Sequence, residues 1–456
     1  MGIFANPLTD LLEYEDFSRD FLKGTDPVGM TGCIDSEKVH FMSTFLGEKK
    51  VQLVVTYNEQ RAREIEEDYK LFCSQVYVIP PRDLIFFSAD LQGNAIIAER
   101  MKAFAALYQN EAKVIITTMD ALMSAAVPFE QLMSHVIKLK EGDELDLEKL
   151  KHDLTVMGYE RVGRVEEPGQ FTVHGGIADV YPLTMEVPVR IELWGDEIDT
   201  IRCFEPQSQR SMDQIECVSV FPAAEVIADD TARRRAAGMI QNELESQLAV
   251  FKKAKEPDKA KRLREETNRI LEALGEDVVL EAPDSYISYF YPRTVQLSEY
   301  FDEKNTLVFL DEPMRLKERG DGVQAEFEES MKNRLEQGFL LPGQTALLTP
   351  AKHVLAAFER GQVAALSSLD SRLADFTVVN SYAVNVQNMN TYREGFELLI
   401  KDLTHWKKEK YRIVLLCPSR TRANRIVNQL IEYDLLAYYS EDEDKKINPG
   451  EIMVTY

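Results

Sequence analysis

Five short apolar runs separated by turn residues, between Gly158 and Pro222, constrain the fold more than any other part of this sequence. The runs are FTV, IADVY, VRIEL, IDTIRCF and ECVSVF, and the turns between them include Pro168-Gly169, Gly175-Gly176, Gly195-Asp196 and Glu205-Pro206. Gly, Pro and Asp at such intervals are typical of tight connections between strands. The stretch therefore predicts a compact antiparallel meander.

Alternation along these strands separates an apolar face from a polar one, because successive side chains of a strand point to opposite sides. In VRIELW the aliphatic residues Val189, Ile191 and Leu193 share one face. The opposite face of the meander carries Thr172, His174, Arg190, Glu192 and Trp194. Trp and Arg on a rigid sheet are residue types that anchor protein interfaces. The alternative is that Trp194 closes the edge of a small core and Arg190 is only solvated, since singly exposed apolar residues are ordinary.

Length and charge limit the classes of partner. A chain of 456 residues is too long for one core and predicts about three domains. Its formal net charge of −24 makes it a poor autonomous DNA binder, because duplex binding depends on Lys and Arg that neutralise phosphates. Arg233, Arg234 and Arg235 allow contact with a nucleic-acid backbone, but acidic residues interleave the rest of their predicted helix and favour a solvated face. The balance favours protein partners.

Cysteine and histidine usage argues against metal chemistry. The five cysteines are scattered without a CxxC pair, and the six histidines are equally dispersed. This pattern is typical of reduced thiols in a cytoplasmic protein and predicts no metal site. The sequence has no apolar run of about 20 residues, so we expect no membrane span.

The loop GMTGCIDS (29–36) is the main candidate for an enzymatic site. It precedes a predicted helix, where a phosphate-binding GxxxxGK[ST] loop would lie. The loop residues of interest are Gly29, Gly32, Ile34, Asp35 and Ser36, with Ile34 in place of the second glycine and Asp35 in place of the lysine. The isoleucine obstructs the backbone approach to phosphate, and a like-charge contact at about 4 Å costs roughly 4 kcal/mol at an effective dielectric of 20. We therefore expect a degenerate nucleotide loop without catalytic residues.

Asp311 and Glu312 end a second predicted buried strand, TLVFLDEP. They resemble the acidic pair that holds magnesium and water in P-loop ATPases. Without a working phosphate loop they are a degenerate acidic pair, or simply a turn at the end of a strand.

Strands alternate with helices on both sides of the meander, which indicates one parallel sheet built from two parts of the chain. The predicted fold class is α/β. It comprises a degenerate P-loop-type parallel-sheet domain (1–131 and 223–345), an inserted β-rich, α+β domain (132–222) and a separate small α/β domain (350–456).

Two consecutive stretches of the meander sequence resemble a known family. GYERVGRVEEPGQFTVHGGIADVYP and PVRIELWGDEIDTIRCFEPQSQRS closely resemble the bacterial transcription-repair coupling factors (Mfd). The resemblance extends by general layout over the whole chain, which would cover only the N-terminal region of these larger DNA translocases. It implies a degenerate domain similar to the excision-repair helicase UvrB, an inserted domain that binds the damage-recognition protein UvrA, and a separate domain of uncertain role.

The resemblance also implies residue roles and partners. Arg190, Glu192 and Trp194 match the family's UvrA contacts, and His174 stands where the family often has arginine. Ile34-Asp35-Ser36 stands where UvrB keeps GKT. RNA polymerase would be contacted by regions beyond this chain, and DNA by motor domains that are also beyond it. ATP and magnesium would belong to those motor domains, so no cofactor is expected here.

One segment distinguishes the coupling factors from UvrB, which carries an aromatic-rich hairpin that verifies DNA damage. The corresponding segment, PPRDLIFFSADLQGNAII (80–97), is short and lacks that tyrosine-rich insertion. We interpret the chain as a non-catalytic adaptor that recruits UvrA to stalled RNA polymerase for nucleotide excision repair. The alternatives are a fragment of an ATP-dependent helicase or UvrB-like repair enzyme, and a DNA-binding module.

Overall fold

The computed structural model describes residues 8, 11, 13–48, 50–82, 91–275, 283–370, 376–386, 389, 392, 395–442 and 445–456. Residues 83–90 of the segment compared with the UvrB hairpin lie outside this set. The first part of the chain alternates helices and strands. Its elements are α1 Tyr14–Lys23, β1 Val28–Thr31, α2 Asp35–Ser43, β2 Val51–Thr56, α3 Glu59–Tyr69, β3 Val76–Ile79, α4 Leu91–Tyr108, β4 Val114–Thr118, α5 Met119–Met123, β5 Ala125–Ala126 and α6 Phe129–Met133.

The predicted meander follows as a six-stranded sheet with one helix beside it. The elements are β6 Ile137–Lys140, α7 Leu147–Val156, β7 Glu160–Arg161, β8 Gln170–His174, β9 Ile177–Val180, β10 Val189–Trp194, β11 Glu197–Phe204, β12 Ser211–Gln214 and β13 Cys217–Val220. The strand order is β12-β11-β10-β9-β8-β7, antiparallel except for the β7–β8 pair. β6 and β13 pair separately and antiparallel, next to the points where the chain enters and leaves this unit.

The chain then returns to helices and strands of the first type. These are α8 Asp230–Ala254, α9 Pro257–Gly275, α10 Ile287–Phe290, β14 Val295–Gln296, β15 Thr306–Asp311, α11 Pro313–Glu336, α12 Ala351–Ala356, β16 Val363–Ser367 and β17 Asn380–Ala383. The last elements are α13 Phe396–Lys408, β18 Ile413–Leu416, α14 Arg420–Glu432, β19 Ala437–Tyr439 and β20 Ile452–Thr455.

A seven-stranded parallel sheet unites the two outer parts of the chain in the order β17-β1-β16-β15-β2-β4-β3. Its strands alternate between two cores, as expected for a parallel sheet covered on both faces. On β2, Val54 packs into the core formed with α1, α2 and α3, while its neighbours Leu53 and Val55 pack on the opposite side. The α/β class, with a β-rich unit between two halves of one sheet, is confirmed.

One predicted boundary is wrong. The sequence suggests that the large-sheet domain ends at 345 and that a separate domain starts at 350, whereas β16 and β17 both belong to the large sheet. Residues 341–353 (LPGQTALLTPAKH), whose proline and glycine residues favour turns, form a connection within this unit, because β16 lies between β15 and β1. The small C-terminal sheet, β18-β20-β19, is parallel and packs against α13 and α14.

No helix in the described part of the chain is both long and apolar enough to cross a membrane.

Candidate functional site

The degenerate nucleotide loop joins β1 to α2, and a later part of the same chain fills the space beside it. Gly32 has a φ of +82°, and a Cβ atom there would lie 1.9 Å from the carbonyl oxygen of Val384. The Val384 amide donates to the carbonyl of Thr31 at 2.9 Å. At Gly29 a Cβ would lie 2.9 Å from the side chain of Val378. Both glycines therefore accommodate the 378–384 segment of the chain itself.

The substituted loop positions lie at the start of α2. Ile34 is the N-cap residue but offers no side-chain oxygen to the free backbone amides. Asp35 is the first helical residue and is exposed, where its charge complements the positive end of the helix dipole. Ser36 follows in the first turn, and only its backbone is described.

The acidic pair at the end of β15 is bound by a lysine that the sequence analysis did not identify. Lys38 Nζ lies 2.7 Å from Asp311 Oδ1 and 2.6 Å from Glu312 Oε1. The side chains of Lys38 and Asp311 are only 1% and 2% exposed. Burial acts to lower the Lys38 pKa, but the two carboxylates outweigh it and raise that pKa above its usual value. Lys38 therefore remains a cation inside the protein.

The second carboxylate oxygen of Asp311 is also engaged. Thr56 donates its hydroxyl to Oδ2 at 2.8 Å, and Arg61 Nε donates to the same atom at 3.4 Å. Arg61 also donates to the backbone carbonyl of Asp35 at 2.9 Å, which ties the degenerate loop to the acidic pair. Glu312 accepts a further bond from the Ser368 amide at 2.8 Å.

These contacts show how the loop and the acidic pair lie relative to each other and which groups occupy the carboxylates. Asp311 and Glu312 do lie next to the loop, as they would around a magnesium–nucleotide complex. A metal ion, however, would have to displace Lys38 from both carboxylates, so the residues present do not fit such a complex. Among the described residues, no group of three or more His, Cys, Asp or Glu side chains converges to hold a metal ion.

The polar face of the meander is the second candidate site, and its side chains lie in cross-strand rows. Thr172 of β8 stands opposite Asp179 of β9, which in turn stands opposite Arg190 of β10. Arg190 and Asp179 form a two-pronged ion pair, with Nε to Oδ1 and Nη2 to Oδ2 both at 2.8 Å. The guanidinium also lies over the ring of Phe204, 4.8 Å from its centroid. Thr172 is buried in this row.

Arg190 is thus held in place by its own chain. Its side chain is 21% exposed and that of Asp179 is 8% exposed. The hydrogen bonds to Asp179 raise the Arg190 pKa above its usual value. The interpretation of Arg190 as a freely solvated residue is therefore wrong. Asp179 was missed, although it occupies an outward position of the IADVY strand and alternation alone identifies that position.

Trp194 lies at the end of β10 and is 84% exposed. The aliphatic residues of the same strand point the other way, since Val189 and Ile191 are fully buried. The alternative in which Trp194 closes a core is therefore wrong. A second cross-strand row on this face places His174 opposite Ile177 and Ile177 opposite Glu192. His174 and Ile177 are both exposed on this face.

The part of the chain that carries this surface is similar to known proteins. Residues 137–225 match the family model described as the UvrB interaction domain. Over 456 residues, the chain is 27% identical to the transcription-repair-coupling factor of Bacillus subtilis (strain 168), with 98% of this chain and 38% of the relative covered. The chain is similar to the N-terminal region of a transcription-repair coupling factor.

Two further relatives agree. The coupling factor of Staphylococcus epidermidis is 27% identical over 459 residues, which cover 100% of this chain and 38% of the relative. That of Staphylococcus haemolyticus is 28% identical over 455 residues, which cover 96% and 37%. The chain thus spans less than two fifths of the length of these coupling factors. The family match at 137–225 contains the whole polar face described above.

Proposed function

We propose that this chain is a non-catalytic adaptor of transcription-coupled repair and that it binds UvrA through the polar face of the meander. The single observation that carries the proposal is Trp194, which is 84% exposed on a rigid strand inside the matched domain. A solvated tryptophan loses apolar contact with water when a partner covers it, and such residues dominate the energy of many interfaces.

Arg190 supports the same proposal through its geometry. Because Asp179 and Phe204 fix the guanidinium, little side-chain entropy is lost when a partner approaches its remaining donors. Arg190 also donates to Gln209 at a longer distance of 3.3 Å, so one of its contacts is weak enough to be exchanged. A fixed arginine near an exposed tryptophan suits a partner surface with an acidic rim and an apolar pocket.

The adaptor role includes the absence of nucleotide chemistry in this chain. The basis is that Lys38 and Arg61 already neutralise the acidic pair, and residues 378–384 lie where a phosphate loop would need free backbone. RNA polymerase would then be engaged by parts of a coupling factor outside this chain, and the motor domains of a coupling factor, also outside it, would bind DNA together with ATP and magnesium.

The test is the affinity of the full chain for purified UvrA, measured with Trp194→Ala. We expect a loss of about 2 kcal/mol or more, which corresponds to at least about 30-fold weaker binding. Thermal unfolding should be unchanged, because the side chain makes little contact with the core. Leu436→Ala is the matched control: Leu436 is 76% exposed, lies in the C-terminal unit, and should leave UvrA binding unchanged. A stable Trp194→Ala chain with unaltered UvrA affinity would reject the proposed interface.

A further inference from the structure

The connection between α8 and α9 carries a concentration of positive charge that contrasts with the rest of the chain. We call residues 252–264 the hairpin tip. It holds seven basic and two acidic side chains, a net charge of +5 within a chain of net charge −24. The basic residues are Lys252, Lys253, Lys255, Lys259, Lys261, Arg262 and Arg264.

Most of this charge is not neutralised by the protein itself. Lys252, Lys253, Lys255 and Arg264 are exposed, and within the described residues no carboxylate lies at ion-pair distance from any of them. Lys259 pairs with Glu256 at 2.9 Å, and Lys261 reaches Glu265 only at 3.8 Å. Arg262 has a structural role, since it donates to the Gln337 carbonyl and lies over the ring of Phe339.

The placement of these cations does not serve the stability of the helices. Lys259 lies in the first turn of α9, where the helix dipole favours negative charge. Lys255 ends α8 with a φ of +60°, a left-handed conformation in which glycine is the favoured residue. Only Lys252 and Lys253, in the last turn of α8, complement the dipole of their own helix.

We propose that the hairpin tip binds the phosphate backbone of double-stranded DNA. A duplex presents one negative charge per about 1.7 Å of its axis, a spacing that several neighbouring lysines can engage at once. Because lysine acts as a point charge, the contact would position the chain on the duplex without reading its sequence.

The composition of the hairpin tip favours duplex DNA over two other classes of partner, a protein surface and an anionic lipid surface. Protein interfaces are depleted in lysine, and five of the seven basic residues of the tip are lysines. Binding of a helix to a lipid surface is strengthened by exposed apolar side chains next to the charge, and the one leucine of the tip, Leu263, is buried. The tip is on a different unit from the meander, so this proposal does not depend on the proposed UvrA contact.

The test removes three cations in a way that separates binding from stability. The tip variant is Lys252→Ala/Lys253→Ala/Lys255→Gly. Its control is Lys401→Ala/Lys408→Ala/Lys410→Gly, which removes three exposed lysines of the C-terminal unit. The two triples are matched in charge, and Lys410, like Lys255, has a φ of +60°. Both glycine substitutions should therefore favour the folded state to a similar degree.

Duplex binding of the 456-residue chain and of both variants is measured by fluorescence anisotropy, with a labelled duplex of about 20 base pairs at about 50 to 200 mM salt. The tip variant should bind about tenfold more weakly or worse at low salt, and the slope of log affinity against log salt should fall by about 3. The control variant should keep the wild-type slope.

Three results would overturn the proposal. The first is an equal slope for the tip variant and the wild type, and the second is an equal loss in the control, which would reflect net charge alone. The third is a tip that binds anionic lipid vesicles, or a protein surface in competition with polyglutamate, while the tip variant keeps the duplex affinity of the wild type. Two duplexes of unrelated sequence should bind alike, because no base contact is involved.

Discussion

Replacement of Lys38 by methionine tests whether the ion pairs of the degenerate loop maintain the large sheet. Methionine preserves most of the side-chain length but removes the charge that lies 2.7 Å from Asp311 and 2.6 Å from Glu312. Asp311 is then left in an almost dry environment, since its side chain is only 2% exposed. Glu312 is 14% exposed and regains water more easily.

The size of the effect follows from what remains around Asp311. Removal of one partner of a buried ion pair costs about 3–5 kcal/mol. Asp311 retains the Thr56 hydroxyl at 2.8 Å and the Arg61 guanidinium at 3.4 Å, so we expect the lower end, about 3 kcal/mol. This corresponds to an increase of roughly 100-fold in local opening.

Hydrogen exchange of peptides from β15 and α2 is the suitable measurement, because a chain with several cores is not expected to unfold in one step. Exchange there should accelerate roughly 100-fold, while the meander should be unaffected. Lys70→Met is the matched control: Lys70 is 53% exposed and pairs with Glu66, so it should cost less than about 1 kcal/mol.

A second variant makes the reasoning refutable. Lys38→Met combined with Asp311→Asn removes both buried charges, and it should restore much of the protection because no uncompensated carboxylate remains. Unchanged exchange in Lys38→Met, or a double variant that is as poorly protected as the single one, would contradict the role assigned to this pair.

Three further predictions concern other parts of the chain. Arg190→Ala should lower the free energy of unfolding by about 1–3 kcal/mol, because Asp179 is left buried without its hydrogen-bond donor. The double variant Arg190→Ala/Asp179→Ala should regain this stability but not the affinity for UvrA. An Arg190→Ala chain that is fully stable in thermal unfolding would show that the pair is not stabilising. Burial acts to raise the pKa of Glu225, but Arg100 and Arg82 outweigh it and lower that pKa from its ordinary 4.5. The Glu225 carboxylate therefore stabilises the fold fully at pH values above its ordinary pKa, and this stabilisation is lost as the pH falls through its pKa in the folded protein. The loss of stability caused by Glu225→Gln in thermal unfolding should thus become smaller on acidification. A loss that does not depend on pH would contradict this. Calorimetry with magnesium-ATP should show no heat of binding, and micromolar affinity would refute the adaptor proposal.

The predictions that came from local pattern agree well with the structure. Period-two alternation placed Trp194 on the outer face and Val189 in the core, and both positions are as predicted. The turn residues located the hairpins of the meander, where Gly175 and Gly195 take positive φ values of 60° and 66°. These features depend on neighbours within a few residues, which is the range over which sequence pattern is informative.

The order of the strands was harder to predict. The predicted boundary between 345 and 350 puts β16 and β17 in a separate domain, yet β16 lies between β1 and β15 in the large sheet. In a parallel sheet, neighbouring strands are joined by long crossovers, so adjacency in space does not follow from adjacency in the chain. For the same reason, the sequence does not predict that residues 378–384 fill the space beside Gly32.

The sequence by itself determined that Ile34 and Asp35 stand where a phosphate-binding loop would have glycine and lysine, and that the meander has an apolar and a polar face. Only the tertiary structure decided which groups lie beside the acidic pair. Lys38 and Asp311 are 273 residues apart in the chain, and no local pattern relates them. They meet because α2 and the end of β15 lie at the same edge of one sheet, and a carboxylate buried there is stable only with a cation beside it.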